Sequence, residues 1–140
     1  MAHDDTGTPD EARRRRGLEW YEFVTRTPAP AAADAPYMGL GLLDFVFSEV
    51  WSRPGLERRI RRWISLSCAA ATGTQIAMES HVYAALKSGD CSIEEMNEFV
   101  LHFAVYQGWP KGSTLQIIVA KAWAKVQAEG GPIKLEAPQP

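Results

Sequence analysis

The stretch Ser92-Ile93-Glu94-Glu95-Met96-Asn97-Glu98-Phe99-Val100-Leu101-His102-Phe103 decides the fold class. It opens on a capping box, in which the Ser92 hydroxyl and the Glu95 carboxylate each satisfy a backbone N–H that a helix start leaves bare. Met96, Phe99/Val100 and Phe103 follow at three- and four-residue steps, the period of one apolar helix face, and the pattern ends near Gly108.

The same period extends in both directions. Upstream, Thr74 is placed to cap a helix running to Ser88, with Gly89 where a left-handed terminus falls. Before it, Leu56 to Ala71 sets Ile60, Trp63/Ile64 and Ser67/Cys68 on one side, with Arg58, Arg59, Arg61 and Arg62 around the rest as a solvated face, and Gly73 ends the segment. Leu40, Leu43, Phe47 and Val50/Trp51 make a further stripe that Pro54-Gly55 stops. A short amphipathic helix is expected from Asp10-Glu11 through Leu18, Tyr21 and Phe23/Val24, with its acids at the positive end of the helix dipole and the run Arg13 to Arg16 solvated. Downstream, after a break at Trp109-Pro110, Ser113 to Ala128 forms the last helix through Leu115, Ile118, Ala122 and Val126. No segment alternates, so the fold is all-α with about six helices.

The Pro/Ala-rich stretch Thr27 to Pro36 reads as a connector, and Gly130 to Pro140 as a tail or an arm laid on a neighbour. The expected organisation is therefore an N-terminal arm (1–36, with residues 1–9 loose), a helical domain (37–129) and a C-terminal tail (130–140). Fifteen Lys and Arg against seventeen Asp and Glu leave a formal charge of −2, too little field to collect nucleic acid or an anionic membrane. The uncharged run Ile64 to Met78 is too short and too polar to cross a bilayer, and acids stand where a signal peptide carries bases, so a cytoplasmic location is expected. Cys68 and Cys91 form no C-x-x-C and read as reduced, buried thiols.

Phosphate loops, nucleophile elbows and H-E-x-x-H are missing, and His3, His81 and His102 offer no ligand set for a metal, so neither a cofactor nor a metal is expected. His81 has small neighbours at Ala77 and Ala85, which leave room beside the imidazole. It is either a core histidine bonded to an oxygen or a proton donor or acceptor in a pocket. At about 100° per residue, Glu79 lies on a different side of the helix from His81 and lines up with Tyr83. Glu79 is either a surface carboxylate facing Arg61 or Arg62, or a desolvated acid that orients a base. His102 and Tyr106 share a face and can line a cavity, and an arginine turned inward from the Arg58–Arg62 group would fit a substrate carboxylate.

The ordered set Glu49-Val50-Trp51-Ser52-Arg53-Pro54-Gly55-Leu56-Glu57-Arg58-Arg59, Gly73, Glu79-x-His81, Ala84-Ala85-Leu86-x-x-Gly89, Ser92-x-Glu94-Glu95 and Ala104-Val105-Tyr106-x-Gly108-x-Pro110 resembles the carboxymuconolactone decarboxylase family, over roughly residues 40–126. The γ-carboxymuconolactone decarboxylase branch is the nearest in pattern, through its W-x-R-P-G-L segment. The resemblance implies an AhpD-like helical protomer, a homotrimer or homohexamer, and cofactor-free decarboxylation of a lactone. It implies His81 as proton donor, Glu79 as a second acid or orienter and Arg61 as carboxylate anchor; this chain's own Tyr83, His102, Tyr106 and Trp51 are expected around the substrate. Where the decarboxylase pattern has an arginine two residues after the histidine this chain has Tyr83, and Lys87-Ser88 stand in place of an Asn pair. The exchange points to a larger, less charged, cyclic or aryl substrate, and to decarboxylation, isomerisation or dehydration of a cyclic unsaturated carbonyl compound. The AhpD-like alkylhydroperoxidases of the same family use a C-x-x-C whose positions here hold Thr74 and Ala77, and the acid preceding that pair falls on Arg62, which removes the redox couple. Three readings follow: a lyase of aromatic-compound catabolism, a non-catalytic oligomer that binds a hydrophobic ligand, and an alkylhydroperoxidase-like protein.

Overall fold

The computed structural model describes residues 7–140, which form six helices with no strand among them. His3 and most of the expected loose arm lie outside the described residues. The helices are α1 (Pro9–Thr25), a π-helix π1 (Tyr37–Trp51), α2 (Arg58–Thr72), α3 (Gln75–Lys87), α4 (Ile93–Gln107) and α5 (Trp109–Ala128). They divide into two compact units: one reaches to Gly55 and takes in Glu136–Pro140, the other is Leu56–Leu135. That division falls after the π-helix, whereas the sequence reading set its boundary at 36/37.

In the first unit, α1 starts at a Thr8/Glu11 capping box with Pro9 in its first turn, and it packs on π1. Gly17 permits the approach: a Cβ there would sit 2.2 Å from the Leu43 carbonyl oxygen. The arginine run is not a solvated face, because three of its members bind π1. The Arg14 guanidinium grips Asp44 at 2.5 and 2.9 Å, Arg13 Nε donates to Asp44 O at 2.9 Å, and Arg16 Nε donates to Ser48 Oγ at 3.0 Å. Trp20, Phe23, Val24, Phe47 and Trp51 form the apolar cluster. Its helix buries Gly39, Leu43, Phe47/Ser48 and Trp51, while Leu40, expected inside, is 66% exposed. The correction has a geometric cause: bonding to the fifth residue widens the turn, so inward positions recur at four or more residues and a three-residue step leaves the face. In the C-terminal segment, Gln139 O accepts from Trp20 Nε1 at 2.9 Å.

The second unit builds its core from α2 to α5 around Leu66, Met78, Val82, Leu86, Met96 and Leu115. Helix ends follow the local signals at Gly73 (φ 72°), Gly89 (φ 70°) and the Ser92/Glu95 box. Two local expectations change. Thr74 occupies the N-cap of α3 without capping it; its hydroxyl lies 2.9 Å from that of Thr72 instead. Helix α5 begins at Trp109 rather than Ser113, because Pro110 sits in the first turn, where a missing N–H costs nothing. Gly112 then nests against Ala104, whose Cβ would stand 2.6 Å from an added Cβ. The tail is held to its own chain in this unit: Ile133 N donates to Lys87 O at 2.7 Å.

The inward face of α2 is Arg62, Leu66, Ala69 and Ala70; of the expected Ile60, Trp63/Ile64 and Ser67/Cys68 stripe, Trp63 packs partly buried against the core and the rest does not. Ile60 and Ile64 are exposed. So is Cys68, leaving Cys91 as the buried thiol, which burial pushes up to about 12. Arg62, with only 1% of its side chain exposed, donates from Nε to Asp90 at 3.0 Å, and Arg58 grips the same carboxylate at 2.6 to 3.0 Å. Arg59 pairs with Glu95.

Candidate functional site

Helix α3 carries Glu79, His81 and Tyr83, and its period sets His81 apart from the other two. Glu79 and Tyr83 face α5, where with Ile118, Lys121, Ala122 and Lys125 they line a cavity of about 250 Å³. Glu79 is exposed and accepts from Gln75 Nε2 at 2.8 Å, so it does not reach the arginines of α2. The Tyr83 phenol donates to Glu129 at 2.8 Å, while burial and that acid push its pKa up to about 12 and keep it a neutral donor. Lys125 Nζ stands 4.3 Å from the centroid of the Tyr83 ring.

His81 is half-buried on another side of α3 and feels the Arg62 charge. Burial first, and the Arg62 cation second, bring its pKa from 6.5 down to about 4. The imidazole is therefore neutral at pH 7. Below its ordinary pKa the unfolded chain takes up a proton that the folded chain refuses until about pH 4, so acid favours unfolding across that window. Stability should decline from pH 6.5 to pH 4 by up to about 3 kcal/mol on this account. Chemical unfolding at a series of pH values checks it: His81→Gln, which cannot titrate, should show a flatter decline, and an equal slope in both proteins contradicts the assignment.

A third group lies on α4. His102 and Tyr106, both exposed, have ring centroids 5.1 Å apart and share with Phe99, Phe103 and Cys68 a cavity of about 450 Å³. Arg61 is half-buried beside Arg62 on α2. Trp51 is buried in the cluster of the first unit, its ring parallel to Phe47 with centroids 6.4 Å apart. Of the seven residues singled out by sequence, the structure brings together Glu79 with Tyr83 and His102 with Tyr106, while His81 lies on another side of α3 and Trp51 belongs to the first unit.

Asp90, Lys121, Lys125 and Glu129 escaped the sequence reading, and Arg62 entered it only as one of four arginines of which one could turn inward. The signal for Arg62 was its place four residues before Leu66 on a face that continues to Ala69 and Ala70. Polarity hid it.

Comparison with known proteins adds ancestry. The model of the carboxymuconolactone decarboxylase family matches residues 36–121. The chain is 35% identical over 66 residues to a 4-carboxymuconolactone decarboxylase of Acinetobacter baylyi, covering 47% of this chain and 48% of the relative. It is 28% identical over 105 residues to a nitrosuccinic acid decarboxylase of Metarhizium robertsii, covering 75% of this chain and 71% of the relative. The first match thus spans about half of that relative's length.

Proposed function

The chain belongs to the carboxymuconolactone decarboxylase family, and from that premise we propose that it is a cofactor-independent lyase that removes CO₂ from a small acid bound beside His81. The names of both relatives describe loss of CO₂ from an acid carrying an electron sink, a lactone in one and a nitro group in the other. The observation that supports a site here is a half-buried, neutral imidazole within the field of a buried guanidinium.

The chemistry follows from charge. A substrate carboxylate entering beside Arg62 brings negative charge into a partly desolvated place, which raises the His81 pKa and loads the imidazole with a proton. The bond to the carboxylate carbon then breaks heterolytically. CO₂ leaves, and the electron pair passes into the unsaturated carbonyl as an enolate. The imidazolium gives its proton to the carbanionic carbon and returns to the neutral form, so one proton is taken up for each CO₂ released. Arg61, half-buried on α2, holds the acid, Arg62 contributes its charge from behind while tied to Asp90, and the aryl or cyclic body contacts neighbouring aromatic side chains.

The test is CO₂ release by the purified protein from 4-carboxymuconolactone and from nitrosuccinate. Release above the uncatalysed rate from either supports the reading, and none from both overturns it. The aromatic cavity on α4 supports the second reading, a binder of a hydrophobic ligand without turnover. Ile76, Val105 and Trp109 are 80%, 70% and 64% exposed, which supports a homotrimer or homohexamer that covers them. Light scattering on the same sample measures this, and a monomer would refute it. The reading also carries a cytoplasmic place in aromatic-compound catabolism.

A further inference from the structure

The cavity between α3 and α5 is not used by the chemistry proposed for His81, which faces away from it. Its walls are nevertheless organised. Lys87, only 8% exposed, donates to the carbonyls of Glu129 and Gly131 and lies 3.4 Å from the Glu129 carboxylate. Glu129 in turn accepts the Tyr83 hydroxyl and stands 3.9 Å from Lys125, whose ammonium rests over the Tyr83 ring. A buried lysine thus fixes an acid, the acid fixes a phenol, and the phenol and acid together restrain a cation at the cavity wall. Lys121 adds a second cation one helical turn away, and Ile118 and Ala122 supply an apolar floor. Glu79 is the one acid on the lining and is engaged by Gln75. Counting Lys87 and Glu129 behind the wall, three lysines stand against two glutamates and leave one positive charge.

We propose that this cavity is a binding site for a small aromatic carboxylate, with Lys121 and Lys125 holding the acid and Tyr83, Ile118 and Ala122 contacting the ring. The volume, about 250 Å³, is below that of most drug-sized pockets and suits a single six-membered ring with one acidic group. A neutral compound of the same shape gains the apolar contacts without the charge, and a cationic one meets two ammonium groups. The site is distinct from the decarboxylating one, because residues two apart on α3 point to different sides.

The experiment is titration of the full-length, isotope-labelled protein with benzoate at low salt, read from backbone amide shifts. Saturable shifts are expected at Lys121, Ala122 and Lys125. Benzamide should bind about tenfold more weakly, and Lys121→Gln, which leaves the Lys87–Glu129–Tyr83–Lys125 chain intact, should weaken benzoate several-fold, the double change Lys121→Gln/Lys125→Gln by about tenfold or more. Benzoate affinity should be unchanged in His81→Gln. Benzamide or benzylamine binding as well as benzoate, shifts confined to the Phe99/Phe103 cavity, or no saturable shift at the α5 amides would each overturn the proposal. Since the readout is binding and not CO₂ release, its failure leaves the decarboxylase reading untouched, and the reverse also holds.

Discussion

Turnover by His81→Gln is expected to fall by about 10²- to 10⁴-fold, the range over which a positioned proton donor contributes. Glutamine keeps a polar side chain of similar reach but cannot carry a proton to carbon. The protein should remain folded, because at pH 7 the native imidazole is already neutral, with its pKa near 4, and its removal takes no charge from the site. The useful readout is the pH profile. In the free protein the limb governed by His81 should lie near pH 4; with an anionic substrate bound it should move upward, since the added negative charge favours the imidazolium. Rates of CO₂ release at saturating and at low substrate, across pH, separate the two limbs. Wild-type rates from His81→Gln would remove this residue from the mechanism.

The second large effect is on stability. Asp90→Ala should destabilise the fold by about 3 to 5 kcal/mol, the usual result of removing one partner of a buried ion pair. Asp90 has 7% of its side chain exposed and Arg62 only 1%, and Arg58 shares the same carboxylate, so the change strands a guanidinium that water barely reaches. For a chain of this size the melting temperature should drop by roughly 10 °C or more. Replacing both partners, Arg62→Met with Asp90→Ala, should recover part of the loss, because the most deeply buried cation is then gone and Arg58, 25% exposed, can turn to water. Removal of the Arg62 charge should also raise the His81 pKa part of the way from about 4 toward 6.5, since burial, the larger cause, remains. Thermal unfolding and imidazole NMR titration measure the two consequences. A melting temperature unchanged in Asp90→Ala would mean that the cluster is not a structural tie.

Some of this was legible without coordinates. The Ser92/Glu95 box, the left-handed glycines at 73 and 89 and the sustained three- and four-residue spacing are local signals, and the six helices follow them. The separation of Glu79 from His81 was legible too, as residues two positions apart on a helix point to different sides. The face of α2 was not. Reading arginine as polar put Ile60, Ile64 and Cys68 inside, where the structure puts Arg62, Leu66 and Ala69. Likewise, the arginines of α1 read as solvated until Asp44 and Ser48 were seen to receive them.

By itself the sequence determined the helical class and where most helices begin and end, because capping groups, glycines and apolar periods act within a few residues of themselves. It also placed the chain's kinship in the order of its motifs. Tertiary structure decided which polar groups are buried and which face each other: Arg62 goes inside only because Asp90, twenty-eight residues on, meets it there. The same holds for Tyr83, whose partner Glu129 is forty-six residues away. Desolvation and charge pairing depend on distances that no local pattern encodes, so the environment that sets the His81 proton became readable only once the helices were packed.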